Sequence, residues 1–194
     1  MRIVVRGTSL RRSLGWTQRV LLAVGVVLLG YCAFVLVDTW VFQAGESAAL
    51  ERFVPVQAAV PAVFPDGLIG RIEVQRLGVS VVVMEGTSGK TLRRAVGHIA
   101  GTGLPGQPGN IGIAGHRDTF FRPLRNIQGG DIITLTTERD TYRYRVVSTK
   151  IVDPDNVAVL NADRNEILTL VTCYPFYFLG SAPQRFIVRA ARVS

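Results

Sequence analysis

Eighteen consecutive residues between Arg19 and Asp38 carry no charge, and this run restricts the possible folds of the 194-residue chain more than any other feature. As a helix it would measure about 27 Å at roughly 1.5 Å per residue, close to a bilayer hydrocarbon core of about 30 Å. It therefore reads as a membrane anchor. The chain then divides into a basic stub of residues 1–19, an anchor of residues 20–42, a stalk of residues 43–65 and a main domain of residues 66–194. Arg2, Arg6, Arg11, Arg12 and Arg19 precede the anchor, whereas Asp38, Glu46 and Glu51 follow it with only Arg52 among them. The positive-inside rule places the N-terminus in the cytoplasm and the main domain outside, with Trp16 and Trp40 at the two interfaces. A cleaved signal peptide is the alternative, suggested by Ala44, Gly45, Ser47 and Ala48, but a secretory apolar core is usually about 7 to 15 residues long.

That topology decides how charge and cysteines are read. The net charge of +8 invites a nucleic-acid partner, yet five of the arginines belong to the stub, and a domain outside the cell meets no nucleic acid. Cys32 lies within the apolar run and Cys173 in the outer domain, so the two cannot pair. Cys173 is then an unpaired thiol in a compartment that favours disulfides, which calls for a chemical reason.

Beyond the stalk, where Pro55, Pro61 and Pro65 punctuate a mixed composition, the pattern becomes that of strands. Residues 69–77, 79–84, 110–114, 132–137, 141–152, 166–173 and 185–192 are rich in β-branched or aromatic side chains and bounded by Gly, Pro, Asp or Asn. Tyr142, Tyr144 and Val146 alternate with Arg143 and Arg145, the period of a strand with one wet face. Residues 87–96 read as one short helix with Thr87 or Ser88 as its cap. Many short strands with few helices predict an all-β sandwich or barrel, and closure would hide the sheet edges.

Two strings are decoys. Gly101-Thr-Gly103-Leu-Pro-Gly106 matches a dinucleotide-binding pattern, but Pro105 and Pro108 exclude the helix that pattern must open. Gly86-Thr-Ser-Gly89-Lys90-Thr91 resembles a phosphate loop, yet its first required glycine would fall at Met84. No metal site is predicted, since the two histidines, His98 and His116, and the scattered carboxylates show no ligand spacing typical of zinc.

Cys173 ends the apolar run Ile167-Leu-Thr-Leu-Val-Thr-Cys173, so its thiol can be rigid and exposed together, as a nucleophile requires. A free thiol has a pKa near about 8.5 and is only slightly ionised at neutral pH, so a proton partner is needed. His116, at the end of a predicted strand in Ala114-Gly-His-Arg-Asp-Thr-Phe120, is favoured over His98 for that part. Arg185, in Ala182-Pro-Gln-Arg-Phe-Ile-Val188, is a permanent cation able to stabilise a carbonyl oxygen that gains charge.

This Cys, His and Arg set resembles that of the sortases, membrane-bound cysteine transpeptidases. Leu170-Val-Thr-Cys173 is similar to the family's cysteine signature, and Arg185-Phe-Ile-Val188 to its arginine strand. Gly115-His116-Arg-Asp-Thr-Phe120 and Cys173-Tyr-Pro-Phe resemble the class D group in particular. The resemblance implies a closed eight-stranded β-barrel behind an N-terminal transmembrane helix, with Cys173 as nucleophile, His116 as general acid or base and Arg185 as transition-state stabiliser. Thr172 matches the residue beside the cysteine in the signature, and a substrate-binding part is expected for it. The implied reaction cuts a C-terminal sorting signal of the Leu-Pro-x-Thr-Gly kind after Thr. The acyl group then passes to an amine on a cell-wall precursor or a pilin-like subunit. No cofactor is implied, and calcium independence is expected because residues 100–109 contain no Asp or Glu. Two other functions compete: a cysteine peptidase that only hydrolyses the signal, and a non-catalytic anchored barrel in which Cys173 is a core thiol.

Overall fold

Pairing directions, more than composition, set the shape of the main domain. The computed structural model describes residues 7–51, 67–177 and 180–193, with the side chains of residues 7–15 and 44–51 left out. Pro55, Pro61 and Pro65 of the expected stalk lie outside the described residues. The chain forms two compact units, Met1–Val41 and Phe42–Ser194.

Helix α1 (Gly7–Glu51), which makes up the first unit and continues past it, contains a stretch, Trp16–Gln43, of 28 residues and mean hydropathy 2.8. Leu21, Leu29, Phe34 and Leu36 are all exposed along it. A helix apolar on every side has no face to give to water, so its natural surroundings are a protein core or lipid.

The second unit holds eight strands: β1 (Leu68–Val74), β2 (Val79–Glu85), β3 (Val96–His98), β4 (Gly109–Ala114), β5 (Ile132–Thr136), β6 (Thr141–Val152), β7 (Glu166–Tyr174) and β8 (Gln184–Val193). They close into a barrel in the order β1-β2-β3-β4-β7-β8-β6-β5. Parallel pairing occurs between β2 and β3, which are joined through helix α2 (Gly89–Arg94), and between β4 and β7. Every other pair is antiparallel.

The alternation seen in the sequence sets the core. On β6, Tyr142, Tyr144 and Val146 are buried between exposed neighbours, as predicted. They join Ile72, Val81, Val83, Ile111, Ile113, Leu135, Leu168, Leu170 and Val188 inside the barrel. At about 1.5–3 kcal/mol per buried large apolar side chain, this interior is the main source of the fold's stability. Tyr144 donates to Glu166 and lies, like Tyr142, under the Arg192 guanidinium. Burial, reinforced by the hydrogen bond to Glu166, raises its phenol above the ordinary tyrosine range.

The seven predicted strands match seven observed ones, six of them with shifted ends. The first stops at Val74 because residues 75–77 curl into a 3-10 turn closed by Gly78 at φ +65°. Helix α2 is shorter than expected and is capped by Ser88, whose hydroxyl accepts from the Thr91 N–H. Its early end frees the three residues of β3, which the sequence pattern did not reveal. The glycine-rich string at 101–106 is a loop, as its prolines required.

Candidate functional site

Because β4 and β7 run parallel side by side, both carry their C-terminal ends to one rim of the barrel. Strand β8 runs antiparallel to β7, so it begins at that same rim. Cys173 is the penultimate residue of β7, His116 lies two residues beyond β4, and Arg185 is the second residue of β8. Topology alone thus brings together three residues separated by 57 and 12 positions in sequence.

The register makes this tighter. Cys173 is directly opposite Arg185. Residues so opposed have Cβ atoms about 4.5–5.5 Å apart on the same face. Cys173, His116 and Arg185 line one cleft of about 360 Å³, together with Arg117, Asp118 and the segment Gly180, Ser181 and Ala182. The thiol is unpaired and half-buried. Arg185 is held by its own loop, with Nη1 donating to the carbonyl oxygens of Ala182 (3.2 Å) and Gln184 (3.0 Å).

Cys173 and Arg185 each have an aromatic neighbour along the strand, and Phe176 and Phe186 pack against the core. Tyr174, Phe176 and Phe186 pack ring against ring, with centroids 5.3–6.4 Å apart. Such ring pairs, one stacked and two edge-to-face, contribute about 0.5–1.5 kcal/mol each beyond area burial at the strand ends that carry the thiol and the guanidinium. Thr172 is buried, and its hydroxyl donates to the Gly115 carbonyl (2.8 Å) while Gly115 N–H donates to Val171 O (3.1 Å). The turn leading into His116 is therefore fastened to β7 on the residues just before the cysteine.

His98 sits elsewhere. It is buried at the end of β3, with Nδ1 2.8 Å from Glu85 Oε2 and Nε2 2.9 Å from the Gly103 carbonyl. Both ring nitrogens are committed to structural partners, and none of the residues lining the cleft is His98.

Sequence reasoning did not single out Arg117. Its side chain is buried, and its guanidinium reaches Pro175 O and Gly180 O, each at 3.0 Å. Adjacency to His116 was visible, but nothing in a single chain marks one arginine among twenty as buried. Among the described residues, no group of three or more His, Cys, Asp or Glu side chains is arranged to hold a metal ion.

A family model described as "Sortase domain" matches residues 72–193. Sortase D of Bacillus subtilis strain 168 is 32% identical over 190 residues, covering 90% of this chain and 96% of that protein. A Clostridium perfringens sortase D5 transpeptidase structure superposes with a TM-score of 0.60 at 29% identity, covering 78% of this chain and 88% of that one. A second Clostridium perfringens structure, sortase C with the C-terminal cell wall sorting motif, gives a TM-score of 0.61 at 27% identity, covering 68% and 74% of the two chains.

Proposed function

The chain belongs to the sortase family of cysteine transpeptidases, and from that premise we propose that it cleaves a C-terminal sorting signal of the Leu-Pro-x-Thr-Gly kind and transfers the protein to an amine. The observation that carries this reading is the shared cleft: one unpaired thiol, one imidazole and one guanidinium line it together.

In the proposed mechanism, the Cys173 thiolate attacks the threonyl carbonyl carbon, and negative charge passes to the carbonyl oxygen. Arg185, opposite Cys173 on β8, stabilises that oxygen. As the bond from carbonyl carbon to glycine nitrogen breaks, His116 delivers a proton to the leaving amine. A thioester on Cys173 remains. The acceptor amine then attacks it, gives a proton to His116 and expels the thiolate. Thr172 contributes to substrate binding through the backbone, by holding the Gly115 carbonyl and with it the turn that presents His116.

Acceptors fitting this chemistry are a cell-wall precursor or a pilin-like surface subunit. The sorting motif in the Clostridium perfringens sortase C structure supports the substrate class. Helix α1 serves as a retained anchor in membrane lipid, with the stub in the cytoplasm and the barrel outside. The segments 154–165 and 174–184, which connect β6 to β7 and β7 to β8, set signal preference.

The test is mass spectrometry of the detergent-solubilised full chain with a sorting-signal peptide, with and without an amine acceptor. An acyl adduct on Cys173 and a ligated product are expected. Hydrolysis alone in the presence of the amine would favour the peptidase reading, and an unchanged rate in Cys173→Ala would refute both.

A further inference from the structure

Among the described residues, Arg117 is a charged side chain that the fold almost completely buries. Burying a guanidinium is costly unless its donors find acceptors, and here they find main-chain oxygens. One terminal nitrogen donates to the Pro175 carbonyl and the other to the Gly180 carbonyl, both at 3.0 Å, while Nε lies 3.6 Å from the exposed Asp118 carboxylate. Pro175 follows β7 directly and Gly180 lies four residues before β8. A single planar fork therefore ties two points of the connection between the two strands. Gly180, Ser181 and Ala182 form one wall of the cleft, and Ala182 O in turn accepts from Arg185.

We propose that Arg117 is a positioning residue of the thiol cleft, setting the distance between the Gly180, Ser181 and Ala182 wall and the Cys173 and His116 side so that a peptide fits between them. The clamp is attached to the backbone next to His116, so wall and imidazole move as one body. The effect on turnover rests on the transpeptidase reading above, whereas the effect on the wall itself does not. Lysine is a poor substitute, because one ammonium is a point donor that cannot bridge two carbonyls in fixed directions.

The experiment compares the full chain with Arg117→Lys and Arg117→Ala in detergent, at a temperature where all three are folded by circular dichroism. For a sorting-signal peptide, KM rises about tenfold or more in both variants while kcat falls less, since uniform binding is what the wall supplies. Adding methylguanidinium at millimolar concentration restores KM in Arg117→Ala, and methylammonium does not. Hydrogen exchange read by mass spectrometry shows faster exchange at residues 180–182 in both variants.

A KM within about twofold of the parent, or a loss confined to kcat, overturns the proposal. If the parent chain itself fails to turn over the peptide, the functional reading fails instead. Exchange at residues 180–182 then decides alone: acceleration sustains the clamp and unchanged exchange removes it.

Discussion

Gly115 shows how little room the site leaves at a single residue. A Cβ added there would sit 2.6 Å from the Phe121 ring, which is fully buried. The Phe121 backbone is also tied to that of the histidine, since its N–H donates to the His116 carbonyl (3.2 Å). Gly115→Ala must therefore push the ring outward or displace the turn bearing His116. A misplacement of about 1 Å costs on the order of a hundredfold in rate, so kcat/KM for the sorting peptide falls by about that factor while the barrel stays folded. Phe121→Leu in the same chain recovers part of the loss by making room. Absence of any recovery would mean that the defect lies elsewhere. At this scale the sequence was informative where a residue ends a strand and uninformative where burial decides. Cys173 and Arg185 were legible because apolar runs stop or start at them. His116 was favoured over His98 for ending a predicted strand, yet His98 also ends one, the three-residue β3. Direction distinguishes them: β3 is antiparallel to β4, so its C-terminal end points away from the thiol rim.

Elements were legible wherever a period of two ran long enough to count. β6 matched its predicted bounds, residues 141–152, because five consecutive residues alternate aromatic or aliphatic with arginine. β3 was missed because three residues, one of them Gly97, carry no period. Its place is fixed by tertiary contact: a Cβ on Gly97 would meet the Gly86 carbonyl oxygen at 2.3 Å. Asn110 was read only as the boundary of a strand, yet its side chain organises the outer face of β4. Its amide donates to Val159 O (2.9 Å) and Asn161 O (3.2 Å), and its oxygen accepts from the buried Thr169 hydroxyl (2.6 Å). The 3-10 turn Val157–Leu160, within the segment proposed to set signal preference, is held against the barrel by these bonds. Asn110→Ala strands those groups, at about 1–3 kcal/mol for each one left buried without a partner. Urea denaturation should show a lower midpoint, and hydrogen exchange should accelerate at residues 157–161. A normal midpoint with normal exchange would show that water takes over all three bonds.

At the scale of the molecule, the barrel closes through a short seam. β1 and β5 share three register pairs, against nine between β6 and β8. The seam is close: a Cβ on Gly70 would meet Thr136 O at 2.1 Å. Beyond its end, Arg76 grips Asp131 through Nε (2.5 Å) and Nη2 (2.6 Å), and the Gln128 N–H adds a third bond to the carboxylate (2.8 Å). The guanidinium's hydrogen bonds hold the Asp131 carboxyl below its ordinary value of 3.8. A carboxyl depressed in the folded state stabilises at pH above its unfolded value, and that contribution drains away as pH falls through the lower folded value. Asp131→Asn should therefore lower the denaturation midpoint at neutral pH and flatten the loss of stability below about pH 4. An acid limb as steep as the parent's would assign the effect to other carboxylates. The two units also carry a natural reporter each, Cys32 in the apolar helix and Cys173 in the barrel, and among the described residues both thiols are unpaired. If the barrel lies outside and α1 spans the bilayer, a membrane-impermeant maleimide added to intact cells should label Cys173 and leave Cys32 unmodified, because hydrocarbon excludes the charged reagent. Cys173→Ala should then abolish labelling. Labelling of Cys173 that appears only after lysis would reverse the proposed orientation, since the arginines of the stub would have failed to hold the N-terminus inside.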